Sequence, residues 1–271
     1  MFTVFYNHVQ EAMKQENMSL EEVAKQMIEH GITGLEFDYF DLIKYGQFDT
    51  ELANKLKKLG IPVIGVYVNY DWGRKFWDQS YKKIYKNLQS IGVKYSLAIP
   101  GLIPDGANEL KYKSRMTKKL DKAIAYAKSC GIQVLMEDFD NSHSPISTAE
   151  GMLYFMSQVS GLKIAFDTGN FYYSGEDAYE VLPKFIEDTE YVHCKDRSLE
   201  PKDGETPLRN ICGQDLYSSA VGEGVIPMKE ILLKLKEHGY KGVYAIEHFG
   251  SQHQLRDMLA SADYLKSLGL E

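Results

Sequence analysis

Short apolar runs alternate with longer amphipathic segments along the whole chain. The apolar runs are rich in β-branched and aromatic residues, and eight of them form candidate strands at residues 2–7, 34–37, 63–69, 95–100, 133–139, 163–167, 191–195 and 243–249. Between them, segments such as "SLEEVAKQMIEHG" and "MKEILLKLKEHG" repeat apolar residues at helical spacing. Eight such units predict an α/β fold, a (β/α)8 barrel, which needs about 250 residues and therefore takes up residues 1–271 as a single domain.

Cap and turn residues separate these units. Ser19 and Ser147 each have a glutamate three residues later, Glu22 and Glu150, which is the pattern of a capping box at a helix start. Asp49 lacks such a partner and can only cap a helix alone. Five predicted helices are followed by a glycine that can take the left-handed conformation: Gly31, Gly60, Gly92, Gly131 and Gly239.

The segment 198–220, "SLEPKDGETPLRNICGQDLYSSA", departs from this pattern. It lacks periodicity and contains charged residues, proline and glycine. Loops of this length are usually functional lids or disordered insertions, and the sequence leaves both alternatives open. We predict an irregular loop insertion over the barrel mouth.

Composition and charge narrow the range of partners. With 44% hydrophobic residues, the chain can fill a sizeable core. The formal net charge is -7, whereas proteins that bind the phosphate backbone of nucleic acids usually present a positive face. We expect a small-molecule partner and no nucleic-acid partner, and the sequence leaves open whether the chain forms a homo-oligomer.

The cysteines and the amino-terminal segment bear on the compartment. Cys130, Cys194 and Cys212 are odd in number and show no C-x-x-C spacing, so they indicate neither a disulfide framework nor a zinc ribbon. The segment "MFTVFYNHVQ" has no basic n-region, and no stretch of the chain approaches about 18 apolar residues. We expect a cytoplasmic protein without a signal peptide or a membrane span.

Polar residues close the last four predicted strands. "QVLMEDF" supplies Glu137, "KIAFDTGN" supplies Asp167, "YVHCKD" supplies His193 and "VYAIEHF" supplies Glu247. The active site of a parallel barrel lies at the carboxyl ends of its strands, so these four side chains are expected to converge. A single strand-end carboxylate is more often a helix cap or an ion-pair partner, but four in register favour a shared site.

Three carboxylates and one imidazole make an oxygen-rich set of ligands. Burying three carboxylates near one another is costly unless a cation compensates them. The sequence therefore predicts that Glu137, Asp167, His193 and Glu247 bind one divalent metal ion. Such a set favours Mn²⁺, Mg²⁺ or Co²⁺, with zinc as the alternative.

The motifs "MEDFD", "FDTGNF", "VHCKDR", "VGEGVIP" and "AIEHF" are similar to those of one family. The chain resembles the xylose isomerase-like TIM barrel superfamily of sugar phosphate isomerases and epimerases, which includes ketose 3-epimerases, hydroxypyruvate isomerase, inosose dehydratase and endonuclease IV. The resemblance covers essentially the whole barrel and is sharpest between residues 133 and 249. In the amino-terminal half it is carried by "GITGLEFDY".

This resemblance implies a reaction. The four residues fall on the family's metal ligands, and Glu137 and Glu247 also match the catalytic pair that exchanges protons in the epimerases. In such a mechanism the metal holds a carbonyl and a hydroxyl oxygen of the sugar and stabilises an enediolate after one glutamate removes a proton. Return of a proton to the opposite face gives the epimer, and return to the neighbouring carbon interconverts aldose and ketose. We expect a metal-dependent sugar or sugar-phosphate isomerase or epimerase of carbohydrate metabolism.

At two places the sequence departs from the family pattern, and there the family's residue roles do not transfer directly to this chain. Asn170 stands where many epimerases have a histidine, and we expect Asn170 to contact the substrate in its place. Endonuclease IV needs further histidines to hold three zinc ions, and "YSLAIPG" and "VGEGVIP" contain none. A trinuclear phosphodiesterase is therefore disfavoured.

Further substrate-binding candidates lie on the same strands. Lys195 shares a strand face with His193, and Lys195 and Asp196 could contact substrate oxygens or form a local ion pair. Arg197 is a candidate for binding a phosphate. Glu36, at the end of the second strand, could bind a sugar hydroxyl or form an interior salt bridge.

Weaker features surround these candidates. The "GEG" of residues 222–224 is typical of a turn into a helix start, where phosphate can bind in this fold. Tyr67, Trp72 and Trp77 could form an apolar wall against a sugar, although aromatic residues are more often simply core.

Two other functions fit the same residues. An inosose dehydratase-type lyase would use the metal and the bases to expel a hydroxyl group as water. A barrel that has lost catalysis would only bind a sugar or a metal, but the presence of both Glu137 and Glu247 argues against it. The loops set substrate choice in this fold, so the sequence does not fix which sugar is used or whether it is phosphorylated.

Overall fold

The computed structural model describes residues 1–70, 72–73 and 79–270. Its barrel strands are β1 (Phe2–Phe5), β2 (Ile32–Asp38), β3 (Val63–Asn69), β4 (Tyr95–Ile99), β5 (Gln133–Met136), β6 (Lys163–Asp167), β7 (Thr189–Ser198) and β8 (Val243–Glu247). All eight predicted strands are present. The bounds differ most at β5, which ends at Met136 rather than at residue 139, and at β7, which is longer at both ends.

Neighbouring barrel strands pair in parallel all the way round. β1 pairs with β2 and with β8, and the remaining pairs follow chain order, including β6 with β7. Since every strand has two parallel neighbours, the sheet closes, and the predicted single-domain (β/α)8 barrel is confirmed. The register sets Asp167 beside His193 and Lys195 beside Glu247, so these residues share one rim of the barrel.

Helices cover the outside of the barrel. Within the described residues they are α1 (Tyr6–Glu16), α2 (Leu20–Glu29), α3 (Thr50–Lys58), α4 (Ser80–Ile91), α5 (Glu109–Ser129), α6 (Ala149–Gln158), α7 (Asn170–Tyr173), α8 (Ala178–Val181), α9 (Met228–Glu237) and α10 (Gln254–Ser267). The five glycines predicted to follow helices all have positive φ angles. None of these helices is both long and apolar enough to span a membrane.

The helix caps follow the sequence pattern at two of three positions. The capping box between Ser19 and Glu22 is present at the start of α2, and Asp49 caps α3 alone. The capping box predicted at Ser147 is wrong. Thr148 has the extended backbone of an N-cap and its side chain accepts the hydrogen bond, so α6 begins one residue later than expected.

Alternation along the strands divides the apolar residues into two layers. The barrel interior contains a cluster of Phe5, Leu97, Leu135, Ala165, Tyr191, Val243 and Ala245. Cys194 and Ile246 belong instead to the large core between barrel and helices. Because neighbouring residues of a strand point to opposite faces, His193 and Glu247 point into the barrel.

The segment 198–220 is more regular than predicted. β7 continues beyond the barrel rim to Ser198, and Asp215–Ser219 pairs antiparallel with this extension. Leu208–Arg209 adds a further antiparallel pair. The prediction of an irregular loop is therefore corrected for residues 208–209 and 215–219, because the backbone groups of the β7 extension pair with a strand of this segment, whereas residues 199–207 and 210–214 form no strand.

Candidate metal centre

Glu137, Asp167, His193 and Glu247 lie together at the carboxyl-terminal rim of the barrel. Asp167 and Glu247 are the last residues of β6 and β8, His193 lies in β7, and Glu137 follows directly after β5. Each residue offers one ligand atom, and these four atoms lie within 4.8 Å of one another. Their side chains are buried, with at most 8% of any residue exposed.

The turn after β6 holds Asp167 in place. Asp167 Oδ1 accepts hydrogen bonds from the backbone N–H groups of Gly169 and Asn170, at 2.7 and 2.8 Å. Thr168 ties the turn to β7, since its hydroxyl accepts from the backbone N–H of Lys195 at 2.9 Å. Oδ2 of Asp167 makes no hydrogen bond among the described residues and lies 3.2 Å from Lys195 Nζ.

The imidazole of His193 is surrounded by carboxylates. Its Nδ1 contacts Glu137 Oε1 and lies 3.4 Å from Glu247 Oε2. Its Nε2 lies on the other side of the ring, 3.0 Å from Glu36 Oε2. His193 therefore has one nitrogen turned toward the other candidate ligands and one turned toward the barrel interior.

Lys195 is the cation beside the two strand-end carboxylates. Its ammonium lies 2.5 Å from Glu247 Oε1 and donates to Asn170 Oδ1 at 2.8 Å. Gly169 leaves room for this side chain, since a Cβ at that position would lie 2.7 Å from the carbonyl oxygen of Lys195 and 2.9 Å from its Cγ. The glycine of the "FDTGN" motif thus allows β7 and the turn after β6 to approach closely.

Burial and charge shift the pKa values of these groups strongly. Burial raises the pKa of Glu137 well above its ordinary value and that of Glu247 to about 7. Burial also acts to raise the pKa of Asp167, but Lys195 and His193 hold it below its ordinary value. Burial disfavours the charged forms of His193 and Lys195. The neighbouring carboxylates outweigh this effect and raise the pKa values of both residues.

The donor set fits a divalent cation. Three carboxylates crowd one imidazole nitrogen, and a buried oxygen of Asp167 makes no hydrogen bond among the described residues. A cation that accepts hard oxygen ligands and one imidazole would compensate these charges. The four residues brought together are those that the sequence predicts as metal ligands.

A cavity of about 490 Å³ opens directly above this cluster. Its apolar lining includes Phe5, Leu97, Ile99, Phe139, Leu208, Leu216 and Phe249. Its polar lining includes Asn69, Glu137, Asp140, Asn170, Lys195, Arg197, Thr206, Ser218 and Glu247. A larger cavity of about 670 Å³, between the loops after β4 and β5, is lined by other residues and includes none of the four candidate ligands.

Three of the four predicted substrate-binding residues line this cavity. Lys195, Asn170 and Arg197 face it, whereas Glu36 lies in the barrel interior against His193. Arg197 Nη2 lies 2.9 Å from Asp140 Oδ2. Of the two roles predicted for Glu36, the structure shows the interior salt bridge.

The sequence analysis missed several polar residues of the cavity. Asn69 is the last residue of β3, and Asp140 ends the "MEDFD" motif, so the rule that identifies strand-end residues could have found both. Thr206 and Ser218 come from the segment 198–220. Nothing in their local sequence distinguishes them from other polar loop residues.

Asp196 has a role other than the predicted substrate contact. Its carboxylate accepts hydrogen bonds from the backbone N–H groups of Arg197, Gly222, Gly224 and Ile226, at 2.8 to 3.2 Å. The "GEG" turn, a candidate phosphate site from the sequence, thus donates the N–H groups of Gly222 and Gly224 to the Asp196 carboxylate instead. A Cβ at Gly224 would lie 2.1 Å from Asp196 Oδ1, so this close approach requires glycine.

The predicted aromatic wall is only partly present. Tyr67 lines the cavity. Trp72 is buried and packs against Tyr70, with ring centroids 4.2 Å apart. Trp77 lies outside the described residues.

Comparison with known sequences identifies relatives. An inosose dehydratase of Clostridium perfringens (strain 13 / Type A) is 28% identical over 145 residues, which make up 52% of this chain and 48% of that protein. The chain spans about half the length of the curated relatives it matches.

Solved structures share the barrel over nearly its full length. D-psicose 3-epimerase with D-tagatose, from Clostridium cellulolyticum H10, has a TM-score of 0.75 and 16% identity, covering 100% of this chain and 99% of that one. The IOLI protein with a bound zinc atom has a TM-score of 0.70 and 16% identity, covering 99% and 96%. At such identities the likeness shows the fold alone.

A family model connects the sequence motifs with this fold. The model described as "Xylose isomerase-like TIM barrel" matches residues 24–268, which include all four candidate ligands. The chain belongs to the xylose isomerase-like TIM barrel family.

Proposed function

We propose that the chain is a divalent-metal-dependent isomerase or epimerase that acts on a sugar or sugar phosphate. One observation carries the proposal: ligand atoms of three carboxylates and one imidazole lie within 4.8 Å of one another below a cavity of about 490 Å³. That volume falls in the range of small-molecule sites. Family membership supports the same class of chemistry.

Glu137, Asp167, His193 and Glu247 would hold the ion. The oxygen-rich set favours Mn²⁺, Mg²⁺ or Co²⁺, and the zinc atom of the IOLI structure keeps zinc as an alternative. When bound, such an ion supplies Lewis-acid chemistry that makes a carbon-bound proton next to a carbonyl group more acidic.

Glu137 and Glu247 are the groups that would move the proton. Both line the cavity, and they stand on strands separated by β6 and β7. One carboxylate takes the proton from the carbon that bears a hydroxyl group, and the bonding electrons of that carbon form the double bond of an enediolate. The other delivers a proton to the opposite face, which gives the epimer, or a proton returns to the neighbouring carbon, which gives the isomer.

Lys195 and Asn170 would bind substrate oxygens beside these bases. The Lys195 ammonium and the Asn170 amide both line the cavity and are hydrogen-bonded to each other. Arg197 and Asp140 form a pair on the cavity wall, which offers donors and acceptors to further hydroxyl groups. The apolar side chains opposite them exclude water from the reacting carbon.

A dehydratase is the second candidate. Two curated relatives that match about half of the chain are inosose dehydratases. In that reaction a carboxylate removes the proton next to the carbonyl group, and the hydroxyl group on the next carbon leaves as water after it gains a proton. The first step is the same, so the fate of the enediolate separates the two candidates.

Incubation in D₂O tests the proposal. The purified protein, supplied in turn with Mn²⁺, Mg²⁺, Co²⁺ or Zn²⁺, would be mixed with ketoses, ketose phosphates and inososes, and products followed by NMR and mass spectrometry. An isomerase or epimerase incorporates solvent deuterium at carbon and yields a product with an unchanged carbon skeleton, whose formula differs from that of the substrate only in the exchanged deuterium. A product lighter by one water would replace the proposal with the dehydratase.

Matched variants assign the proton transfer. Glu137→Gln and Glu247→Gln each keep the side-chain shape and should abolish deuterium incorporation, whereas Glu21→Gln removes one carboxylate from an exposed ion pair with Lys55 and should leave it unchanged. Deuterium incorporation that persists in both cavity variants would remove Glu137 and Glu247 from the proton transfer, and no incorporation by wild type or variants with any substrate would favour the binding protein over the enzyme.

A further inference from the structure

Glu36 lies inside the barrel beneath the candidate metal centre. It is 1% exposed and is paired in register with Gly65 on β3. A Cβ at position 65 would lie 3.5 Å from both Cγ and Cδ of Glu36 and 3.1 Å from the hydroxyl oxygen of Tyr191. The glycine therefore leaves space in the interior layer for the Tyr191 hydroxyl, while a Cβ would make only an ordinary contact with the Glu36 side chain.

The carboxylate of Glu36 contacts the far side of the His193 ring. Glu36 Oε2 lies 3.0 Å from His193 Nε2, and the two side chains are 2% and 1% exposed. An ionised carboxylate only accepts hydrogen bonds, so Nε2 carries the hydrogen in this contact. Nδ1 faces Glu137 and Glu247, and when these carboxylates hold a cation Nδ1 would lose its hydrogen and offer its lone pair to that cation.

Aromatic rings hold the imidazole in this orientation. Phe5 and Tyr191 both meet the His193 ring edge-on, with centroids 5.1 and 5.5 Å away. Tyr191 is itself fixed by a 3.2 Å hydrogen bond between its hydroxyl and that of Thr3. A ring flip would turn Nε2 toward the carboxylates at the rim and leave Glu36 buried without this partner, which is costly.

We propose that Glu36 is a positioning residue of the metal centre: it binds His193 Nε2–H and thereby presents Nδ1 to the ion. The assignment rests on the proposed function only in requiring that the cluster binds a divalent cation. Glu36 touches neither the cavity nor the ion in this role. A carboxylate in this position also makes the imidazole a stronger ligand, because it stabilises the positive charge that the ring gains on binding.

Metal affinity measured without any substrate tests the proposal. Dissociation constants for Mn²⁺ and Zn²⁺ would be determined by competition with a chelating dye for wild type, Glu36→Gln and Glu36→Ala. Loss of such a partner typically weakens metal binding about 10-fold to 100-fold. We expect Glu36→Ala at the upper end and Glu36→Gln nearer 10-fold, because the amide oxygen still accepts from Nε2–H but carries no charge.

A spectroscopic readout separates positioning from general loss of structure. In zinc-loaded protein with ¹⁵N-labelled histidine, the Nε2–H proton of His193 should exchange slowly with water in the wild type, and it should exchange rapidly in Glu36→Ala. The signal is assigned by its absence in His193→Asn. Ser96→Ala removes a buried hydroxyl group on the opposite face of β4 from the inward-facing Leu97, and it should leave both the exchange rate and the metal affinity at wild-type values.

The outcomes distinguish this proposal from the proposed function. If both Glu36 variants bind metal with a dissociation constant within twofold of wild type, the positioning role is overturned. If Glu36→Ala does not fold, the same twofold criterion is applied to Glu36→Gln alone. Metal binding that depends on Glu36, without turnover of any sugar, would support the positioning role and overturn the proposed function. A wild type that binds no divalent ion would overturn both.

Discussion

At the scale of single residues, the candidate metal centre depends on how buried charges compensate one another. Lys195 lies 2.5 Å from Glu247 and 3.2 Å from Asp167, so one ammonium serves two carboxylates. The removal of one partner from a buried ion pair leaves an uncompensated charge, which is far more costly than the loss of an exposed pair. Lys195 should therefore stabilise the metal-free protein, in addition to its proposed contact with substrate.

Lys195→Met tests this compensation. We expect the variant to lose about 3–5 kcal/mol of unfolding free energy when a chelator is present. A bound divalent cation offsets part of the carboxylate charge, so added metal should raise the unfolding temperature more in the variant than in the wild type. Lys55→Met breaks an exposed pair and should cost at most about 1 kcal/mol. Equal stability of Lys195→Met and wild type under chelation would contradict the argument.

Gly169→Ala tests the close approach of the turn after β6 to β7. The added Cβ would lie 2.7 Å from the carbonyl oxygen of Lys195, so the turn must move, and overpacking of this kind costs about 1–3 kcal/mol. Since the backbone N–H of Gly169 binds Asp167, we expect weaker metal binding by dye competition as well. Gly106→Ala, at a positive φ with open space around it, should cost about 1 kcal/mol and leave metal affinity unchanged.

Strand-end residues were the part of the site that the sequence could predict. Asp167, His193 and Glu247 stand on parallel strands, and the fold brings such positions together whatever the rest of the sequence is. The contact between Glu36 and His193 joins residues 157 positions apart across the barrel interior. Its formation depends on how Phe5 and Tyr191 orient the imidazole ring, and no local pattern specifies this.

At the scale of elements, the extension of β7 and the loop that follows it form part of the cavity wall above the candidate metal centre. Asp196 accepts backbone hydrogen bonds from Gly222, Gly224 and Ile226 and so fixes the residues that lead into α9. The carboxylate takes the place that an external anion could otherwise occupy. The Asp196 side chain thus holds the loop before α9 against the extension of β7.

Asp196→Ala should loosen this loop while the barrel stays folded. Several N–H groups lose a charged acceptor, and we expect a loss of about 2–4 kcal/mol in urea unfolding. Limited proteolysis should cleave near residues 222–226 faster than in wild type, while the metal dissociation constant changes little because Asp196 is not a ligand. An unchanged cleavage rate would show that other contacts hold the loop.

Periodicity predicted the elements well where contacts are local. All eight strands were found because apolar runs and glycine-ended helices alternate regularly. The pairing of Asp215–Ser219 with the end of β7 was missed, since the two apolar residues of this strand, Leu216 and Tyr217, are adjacent and the sequence shows no apolar–polar alternation. The start of α6 was displaced by one residue, because Ser147 and Thr148 both carry a hydroxyl group that can cap.

At the scale of the whole molecule, the four candidate ligands would tie the carboxyl-terminal half of the barrel together when they hold an ion. Glu137, Asp167, His193 and Glu247 come from β5 to β8 or from the residue that follows, so unfolding any of these units separates the four ligands. An ion that binds only the folded protein stabilises it in proportion to the logarithm of its concentration. Metal binding and folding should therefore be linked across half of the barrel.

Thermal unfolding measures this linkage directly. At a free ion concentration 100 times the dissociation constant, the gain is about 2.7 kcal/mol, which for a domain of this size corresponds to roughly 5–10 °C. We expect that shift with Mn²⁺ in the wild type, its reversal by a chelator, and further stabilisation of about 1.4 kcal/mol for each tenfold increase in the ion. Asp167→Asn removes a ligand charge and should abolish most of the shift, whereas Asp263→Asn, on the exposed surface beside His30, should retain it. A wild-type unfolding temperature independent of every divalent ion would mean that the clustered carboxylates are compensated by Lys195 and His193 alone.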